Sequence, residues 1–360
     1  MHVDSSPVTS PDQFEEILNV CFATQRRGQR GKGSIPYFEG PPGIGKTYGV
    51  ESYCIKKNIY LDKLILGRMP AVELGGAYAP DFNAGELKHL ILKRVLGYND
   101  KAGDRDICIL FDEAPAAGAD TLVALASLLQ ERELEGFPVL DKVVFAAAGN
   151  RPEDGCGARP LPKLLREGRF VTVPTGVDVE GWLKWAEGEN VNPFVRAAIT
   201  WRGTLLHNFD PNSKNTVQSS PRGWAKLSDI MDEEPSQDTL DILGPGSIGT
   251  DYYAEFKGFC ESADQMASMQ EILEDPDGAK LPKEVSAMYA VGGNIAFEIG
   301  EINKRGEHLE YDFINAVMTY MERLPEEYTV AAVRLCKSAH KDFANSKAYS
   351  KYLINHKELV

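Results

Sequence analysis

The chain has 360 residues, 43% hydrophobic and 26% charged, with 53 acidic against 39 basic side chains and a net charge of -14. That is the composition of a globular protein long enough for one large or two ordinary domains, and its acidity argues against a broad nucleic-acid-binding face, a local basic patch aside. No run approaches the ~18 apolar residues of a membrane span, and Met1-His2-Val3-Asp4 lacks the basic and apolar regions of a signal peptide, so a cytoplasmic protein is expected.

Ser10-Pro11-Asp12-Gln13 predicts a helix start, with a capping Ser, Pro at the first helical position and Gln at the third. Phe14, Ile17, Leu18 and Cys21 then share a face. Arg26, Arg27, Arg30 and Lys32 follow in a Gly-rich linker that could be a solvated loop, a contact with nucleotide or a neighbouring subunit, or a nucleic-acid contact. An apolar run at Ile35, Tyr37 and Phe38 predicts a strand starting at or after Pro36, which cannot donate to a ladder.

Gly40-Pro41-Pro42-Gly43-Ile44-Gly45-Lys46-Thr47 comes next and fits the phosphate-binding pattern of Gly, four residues, then Gly-Lys-Thr. The glycines let the backbone wrap closely and turn its N–H groups toward an anion. Lys46 supplies a point charge for β- and γ-phosphates and Thr47 a hydroxyl for Mg²⁺. A helix beginning near Lys46 adds its positive end to the same place.

Residues 48–57 continue that helix, Lys63 to Met69 is the next expected strand, and Glu86 to Val95 has a helical pattern. Ile107-Cys108-Ile109-Leu110-Phe111 suits a strand buried on both faces of a parallel sheet. It ends in Asp112-Glu113, at the carboxyl end of the strand, where open α/β sheets bind ligands. Ala119 to Leu134 is a strong helix candidate, and Glu135-Gly136-Phe137-Pro138 can turn a hairpin. Val143 to Ala148 is another apolar strand and delivers Gly149-Asn150. Lys163 to Gly168 is a short helix and Phe170 to Val173 the last strand. Strands alternating with helices predict a parallel α/β sheet.

Past Pro174 the pattern turns helical, with residues 203–221 and 232–249 expected as loops. The expected divisions are an N-terminal helix and linker (1–33), an α/β nucleotide-binding domain (34–175), a helical lid (176–260) and a helical C-terminal extension (261–360). The six cysteines and six histidines show no metal-ligand spacing, so ATP-borne Mg²⁺ is the economical metal.

Asp112, about 65 positions past Thr47, is placed to hold Mg²⁺, and Glu113 is the natural group to polarise an attacking water. With Asn150 at the next strand tip, the chain resembles the AAA+ ATPases and, more narrowly, their MoxR-like branch of bacteria and phages. The matching segments are GPPGIGKT (40–47), ILFDEAP (109–115), LLQERELEGFPVLDKVVFAAAGNRPED (128–154), LREGRF (165–170) and SSPRGW (219–224). The resemblance covers about residues 30–260.

It implies a P-loop NTPase sheet flanked by helices, then an all-helical lid. Lys46 and Thr47 match the first Walker motif, Asp112 and Glu113 the second, and Asn150 matches sensor 1. Arg169 matches the arginine offered to a neighbouring subunit, although Gly168 replaces the usual Asn or Asp before it, and Arg166 is the reserve. Arg222 matches sensor 2 on the lid. The loop at Gly75 to Pro80 sits where ring ATPases put pore residues, which makes Tyr78 a substrate-facing candidate.

The implied function is ATP hydrolysis by a ring-forming homo-oligomer, six subunits being one size it allows. Such a ring remodels a protein partner or adaptor, of which a von Willebrand A-like domain is the family's type, inside a bacterial or phage-infected cell. The alternatives are a nucleic-acid motor or loader, a nucleotide switch or scaffold with little turnover, and a small-molecule kinase. The acidity speaks against the first, Glu113 and Asn150 against the second, and the Asn150 and Arg222 elements against the third.

Overall fold

The computed structural model describes residues 10–27, 33–90, 102–134, 137–138, 142–154, 156–263 and 266–356. The chain divides into two compact units, Met1–Asp178 and Val179–Val360.

The first unit opens with α1 (Pro11–Arg27), β1 (Ile35–Glu39), α2 (Lys46–Lys56), β2 (Tyr60–Ile65) and α3 (Ala71–Gly75). After β3 (Ala77–Asp81) and β4 (Glu86–Leu90) come β5 (Ile107–Asp112), α4 (Ala119–Glu131), β6 (Glu133–Leu134) and β7 (Phe137–Pro138). The unit closes with β8 (Val143–Gly149), α5 (Lys163–Arg166) and β9 (Phe170–Pro174). Five strands form one parallel sheet in the order β2-β5-β8-β1-β9.

Alternation along the strands explains the two cores. Ile107, Ile109, Phe111, Val143, Phe145, Ala147 and Tyr37 face the side covered by Leu74 of α3, Leu122 and Leu125 of α4 and Leu165 of α5. Cys108, Leu110, Val144, Ala146, Ala148 and Phe38 face the side covered by Phe14, Leu18 and Phe22 of α1 and Val50 and Tyr53 of α2. A sheet buried on both faces needs the continuous apolar runs that β5 and β8 carry. Phe14 stacks on Phe38 at 3.9 Å between ring centroids, and Gly49 of α2 leaves room for it, since a Cβ there would lie 2.8 Å from the Phe14 ring. A phosphate-binding loop between the first strand and its helix, inside this parallel sheet, makes the first unit a P-loop NTPase fold.

Three local expectations are corrected. β1 starts at Ile35, ahead of Pro36, because its pairing with β8 begins only at Tyr37 and the prolyl nitrogen stays clear of that ladder. Glu86 to Leu90 is a strand paired antiparallel with β3, not a helix; residues 91–95 of that expected helix lie outside the described residues. The second expected strand ends at Ile65, with a short 3₁₀ turn at Leu66–Arg68. Arg26 pairs with Asp106, while Arg30 and Lys32 lie outside the described residues.

The second unit is helical in its described residues: α6 (Val179–Gly188), α7 (Pro193–Trp201), α8 (Pro221–Asp232), α9 (Gln237–Ile248) and α10 (Thr250–Ser262). There follow α11 (Met269–Glu274), α12 (Val285–Lys304), α13 (Tyr311–Met321), α14 (Glu326–Ala339), α15 (Lys341–Ala344) and α16 (Lys347–Asn355). α9 replaces part of the loop expected over 232–249. Ser236 caps it by accepting from the Thr239 N–H, and Gly244 lets Tyr253 of α10 lie against it, a Cβ there falling 2.1 Å from the ring. α12 packs between α7 and α14. Gly292 and Gly293 permit the approach, since a Cβ on them would lie 2.7 Å from Ala332 Cα and 3.1 Å from Ala197 Cβ. Among the described residues no helix is long and apolar enough to cross a membrane.

Candidate active site

The loop after β1 turns on two left-handed glycines, Gly43 (φ 78°) and Gly45 (φ 94°), where a side chain would be strained. Gly45 is the residue before α2, so the helix N-terminus opens directly onto the loop. Gly40 is required for a different reason: a Cβ there would lie 2.2 Å from the Thr175 carbonyl oxygen just past β9.

Lys46 is 8% exposed. Its Nζ donates to the Gly40 and Pro41 carbonyls at 2.7 and 2.6 Å and to Asn150 Oδ1 at 3.0 Å. The first two bonds close the loop on its own lysine, and the third ties it to the tip of β8, 104 residues away. Thr47 Oγ1 donates to Asp112 Oδ2 at 2.9 Å and joins α2 to the end of β5. Lys46, Thr47, Asp112 and Asn150 therefore converge at the carboxyl ends of β1, β5 and β8, around the loop formed by Pro41, Pro42 and Ile44.

Glu113 follows directly, in the left-handed conformation at φ 54°, ψ 33°, which is uncommon for a residue with a side chain. Its backbone N–H donates to Asp112 Oδ1 at 3.0 Å. Its carboxylate lies over Gly67, in the turn after β2, where a Cβ would come 3.0 Å from Oε2. A hydroxyl and a carboxylate in contact, beside a lysine and a helix N-terminus, are a donor set that fits a magnesium–phosphate group.

The three arginines are distributed differently. Arg166 reaches Glu39, one residue before the loop, at 3.5 Å. Arg169 is half-buried, its guanidinium donating to the Gly168 carbonyl at 2.8 Å and to Gln130 of α4. β9 runs parallel to β1 with Phe170 opposite Ile35, so Arg169 flanks the start of β1 while the phosphate loop begins about 15 Å further along the strand. Arg222 lies in the second unit, exposed at the start of α8, behind Ser220, whose Oγ accepts from the Gly223 N–H at 3.2 Å. Tyr78 is 62% exposed on β3.

Two features escaped the sequence reading. Asp154, almost wholly buried, accepts from the Arg151 backbone N–H at 2.8 Å and from its guanidinium at 2.7 Å, fixing the chain just after Asn150. That hydrogen bond holds the Arg151 guanidinium above its ordinary pKa. The Arg-x-x-Asp spacing was the available signal. The Glu39–Arg166 pair, 127 residues apart, had none.

Gly149, just before Asn150, is packed so closely that a Cβ would lie 2.3 Å from Pro115 Cδ and 2.9 Å from the Tyr37 hydroxyl. Gly149→Ala is expected to lower stability by about 1–3 kcal/mol through overpacking; an unchanged urea midpoint would contradict the tight fit.

No family model and no curated protein matches the sequence. Solved structures do align with it. A protein of Cytophaga hutchinsonii assigned as an ATPase is 14% identical over 98% of this chain and 90% of its own, with a TM-score of 0.36. The Thermotoga maritima RuvB Holliday junction branch migration motor is 14% identical over 73% of this chain and 74% of its own, with a TM-score of 0.34. A point mutant of Thermotoga maritima RuvB is 14% identical over 88% and 86%, with a TM-score of 0.35. The P-loop NTPase fold of the first unit rests on the chain's own strand order and loop.

Proposed function

We propose that this chain is an ATPase of the AAA+ type, acting as a homo-oligomeric ring that remodels a bound protein. What carries the reading is the meeting of Lys46, Thr47, Asp112 and Asn150 at one end of the sheet. Thr47 and Asp112 would hold Mg²⁺, which supplies charge neutralisation at the β- and γ-phosphate oxygens. Lys46 and the loop N–H groups grip the same phosphates. Glu113 takes a proton from water as its oxygen attacks the γ-phosphorus; the bond to the β-bridging oxygen breaks, and ADP leaves with the electron pair. Asn150 orients that water, and Arg169 of an adjoining subunit offsets charge in the transition state.

Within this class the segments matching the MoxR-like branch favour a protein substrate or adaptor, with a von Willebrand A-like domain as its type. The β6–β7 hairpin ahead of β8 fits the insertion before sensor 1 that marks the branch. Arg222 is assigned as sensor 2, and Tyr78 as a substrate-facing residue. ATP turnover stimulated by DNA would overturn the protein-remodelling assignment in favour of a nucleic-acid motor.

Lys46→Ala tests the site itself. Losing a charged donor to phosphate lowers ATP affinity by about 10–100-fold, measured by titration calorimetry, with circular dichroism confirming the fold. Unchanged affinity would remove the loop from nucleotide binding.

A further inference from the structure

Glu39 places a carboxylate immediately ahead of the phosphate loop, an unfavourable charge for a site that takes polyphosphate. Its side chain is 14% exposed, so water screens it poorly. Its Oε1 accepts from the Tyr37 hydroxyl at 3.5 Å, and Arg166 approaches Oε2 at 3.5 Å. Burial holds the Glu39 carboxyl above its ordinary range, and Arg166 opposes that rise in part. Glu153 and Arg151 also contribute to the field at Glu39. Arg151 is already engaged, bonded to Asp154 at 2.7 Å with Glu153 at 3.7 Å. Among the described residues, Arg166 is therefore the cation that contacts Glu39.

Building on the assignment of the loop to ATP, we infer that Arg166 is a positioning residue for its own subunit's site: it neutralises Glu39 and so permits polyphosphate to bind the adjacent loop. This gives the reserve arginine of the LREGRF segment a role within its own chain. At an effective dielectric of about 20, an uncompensated charge ~10 Å from a phosphate charge weakens binding on the order of tenfold. The penalty grows with the number of phosphate charges.

The test is a nucleotide titration of the full chain with Arg166→Met, Arg166→Lys, Glu39→Gln and the Arg166→Met/Glu39→Gln double variant. Arg166→Met is expected to weaken ATP on the order of tenfold, ADP less and AMP least. Arg166→Lys retains most of the affinity, and the double variant recovers it because the charge needing compensation is gone. Thermal melts of all four show whether a loss follows unfolding, and a folded double variant decides even if Arg166→Met melts early. Equal ATP affinity in wild type and Arg166→Met overturns the inference. So does a loss that Glu39→Gln fails to restore, or a defect confined to turnover at high protein concentration, which would mark Arg166 as acting on a neighbour. Wild type that binds no ATP would instead bring down the ATP assignment itself.

Discussion

Glu113→Gln is expected to bind ATP as wild type does and to hydrolyse it about 10²–10⁴-fold more slowly, the range by which a positioned general base accelerates proton transfer. Residue 113 adopts a left-handed conformation that glycine or asparagine would take at less cost, yet the position holds a glutamate. The turn swings the carboxylate out of the strand and over Gly67, while the 113 N–H returns to Asp112 Oδ1 and so orients the neighbouring carboxylate. Glutamine matches the side chain in size and leaves that N–H in place. It removes only the ability to accept a full proton from water. Phosphate release measured under saturating ATP, beside a binding titration, separates the two effects. Equal turnover in wild type and variant would refute the assigned role, and lost binding would reassign Glu113 to holding the nucleotide.

Why β5 and β8 could be read from sequence and the β3–β4 hairpin could not is a matter of burial. β5 and β8 are covered on both faces, so nearly every residue must be apolar and the run announces itself. The phosphate loop is legible because its glycine spacing follows from backbone geometry alone. β3 and β4 instead form an exposed pair, with Phe82 at 90% and Leu87 at 68% exposure. The leucines of the β4 sequence, 87 and 90, are spaced three apart and mimic a helix. A local signal was present: Asp81 Oδ1 accepts from the Asn83 and Ala84 N–H groups, and Gly85 has φ 70°, an Asx turn closed by a left-handed glycine. α9 failed for the opposite reason. Its Pro245 and glycines are poor helix formers, but a capping serine and the seating of Tyr253 against Gly244 override local preference.

Side-chain partners across more than a hundred residues were the least visible. The motif order put Asn150 and Lys46 at one site without naming the bond between them, whereas Glu39 on Arg166 depends on where α5 returns the chain beside β1, and nothing local encodes that. The structure also separates two arginines that sequence treated as alternatives. Arg166 contacts the residue before the loop, and Arg169 is hydrogen-bonded to α4 at the other end of the strand pair.

That separation sets up the last expectation, that Arg169→Ala lowers turnover by about 10³–10⁵ when the ring is assembled, as loss of an arginine supplied in trans does. Arg169 sits beside the start of β1, about 15 Å along the strand from its own loop, farther than an arginine side chain spans. Under the proposed mechanism its effect is therefore delivered to a second copy. Wild-type activity per subunit then rises steeply with concentration, and a mixture of two inactive variants recovers activity. Arg169→Ala subunits keep Glu113, Glu113→Gln subunits keep Arg169, and each supplies at the shared boundary what the other lacks. Mixing them at a concentration where wild type is fully active gives turnover that neither variant shows alone. A mixture no more active than its parts, or wild-type activity strictly proportional to concentration, would place catalysis within the single chain and leave Arg169 as a brace between β9 and α4.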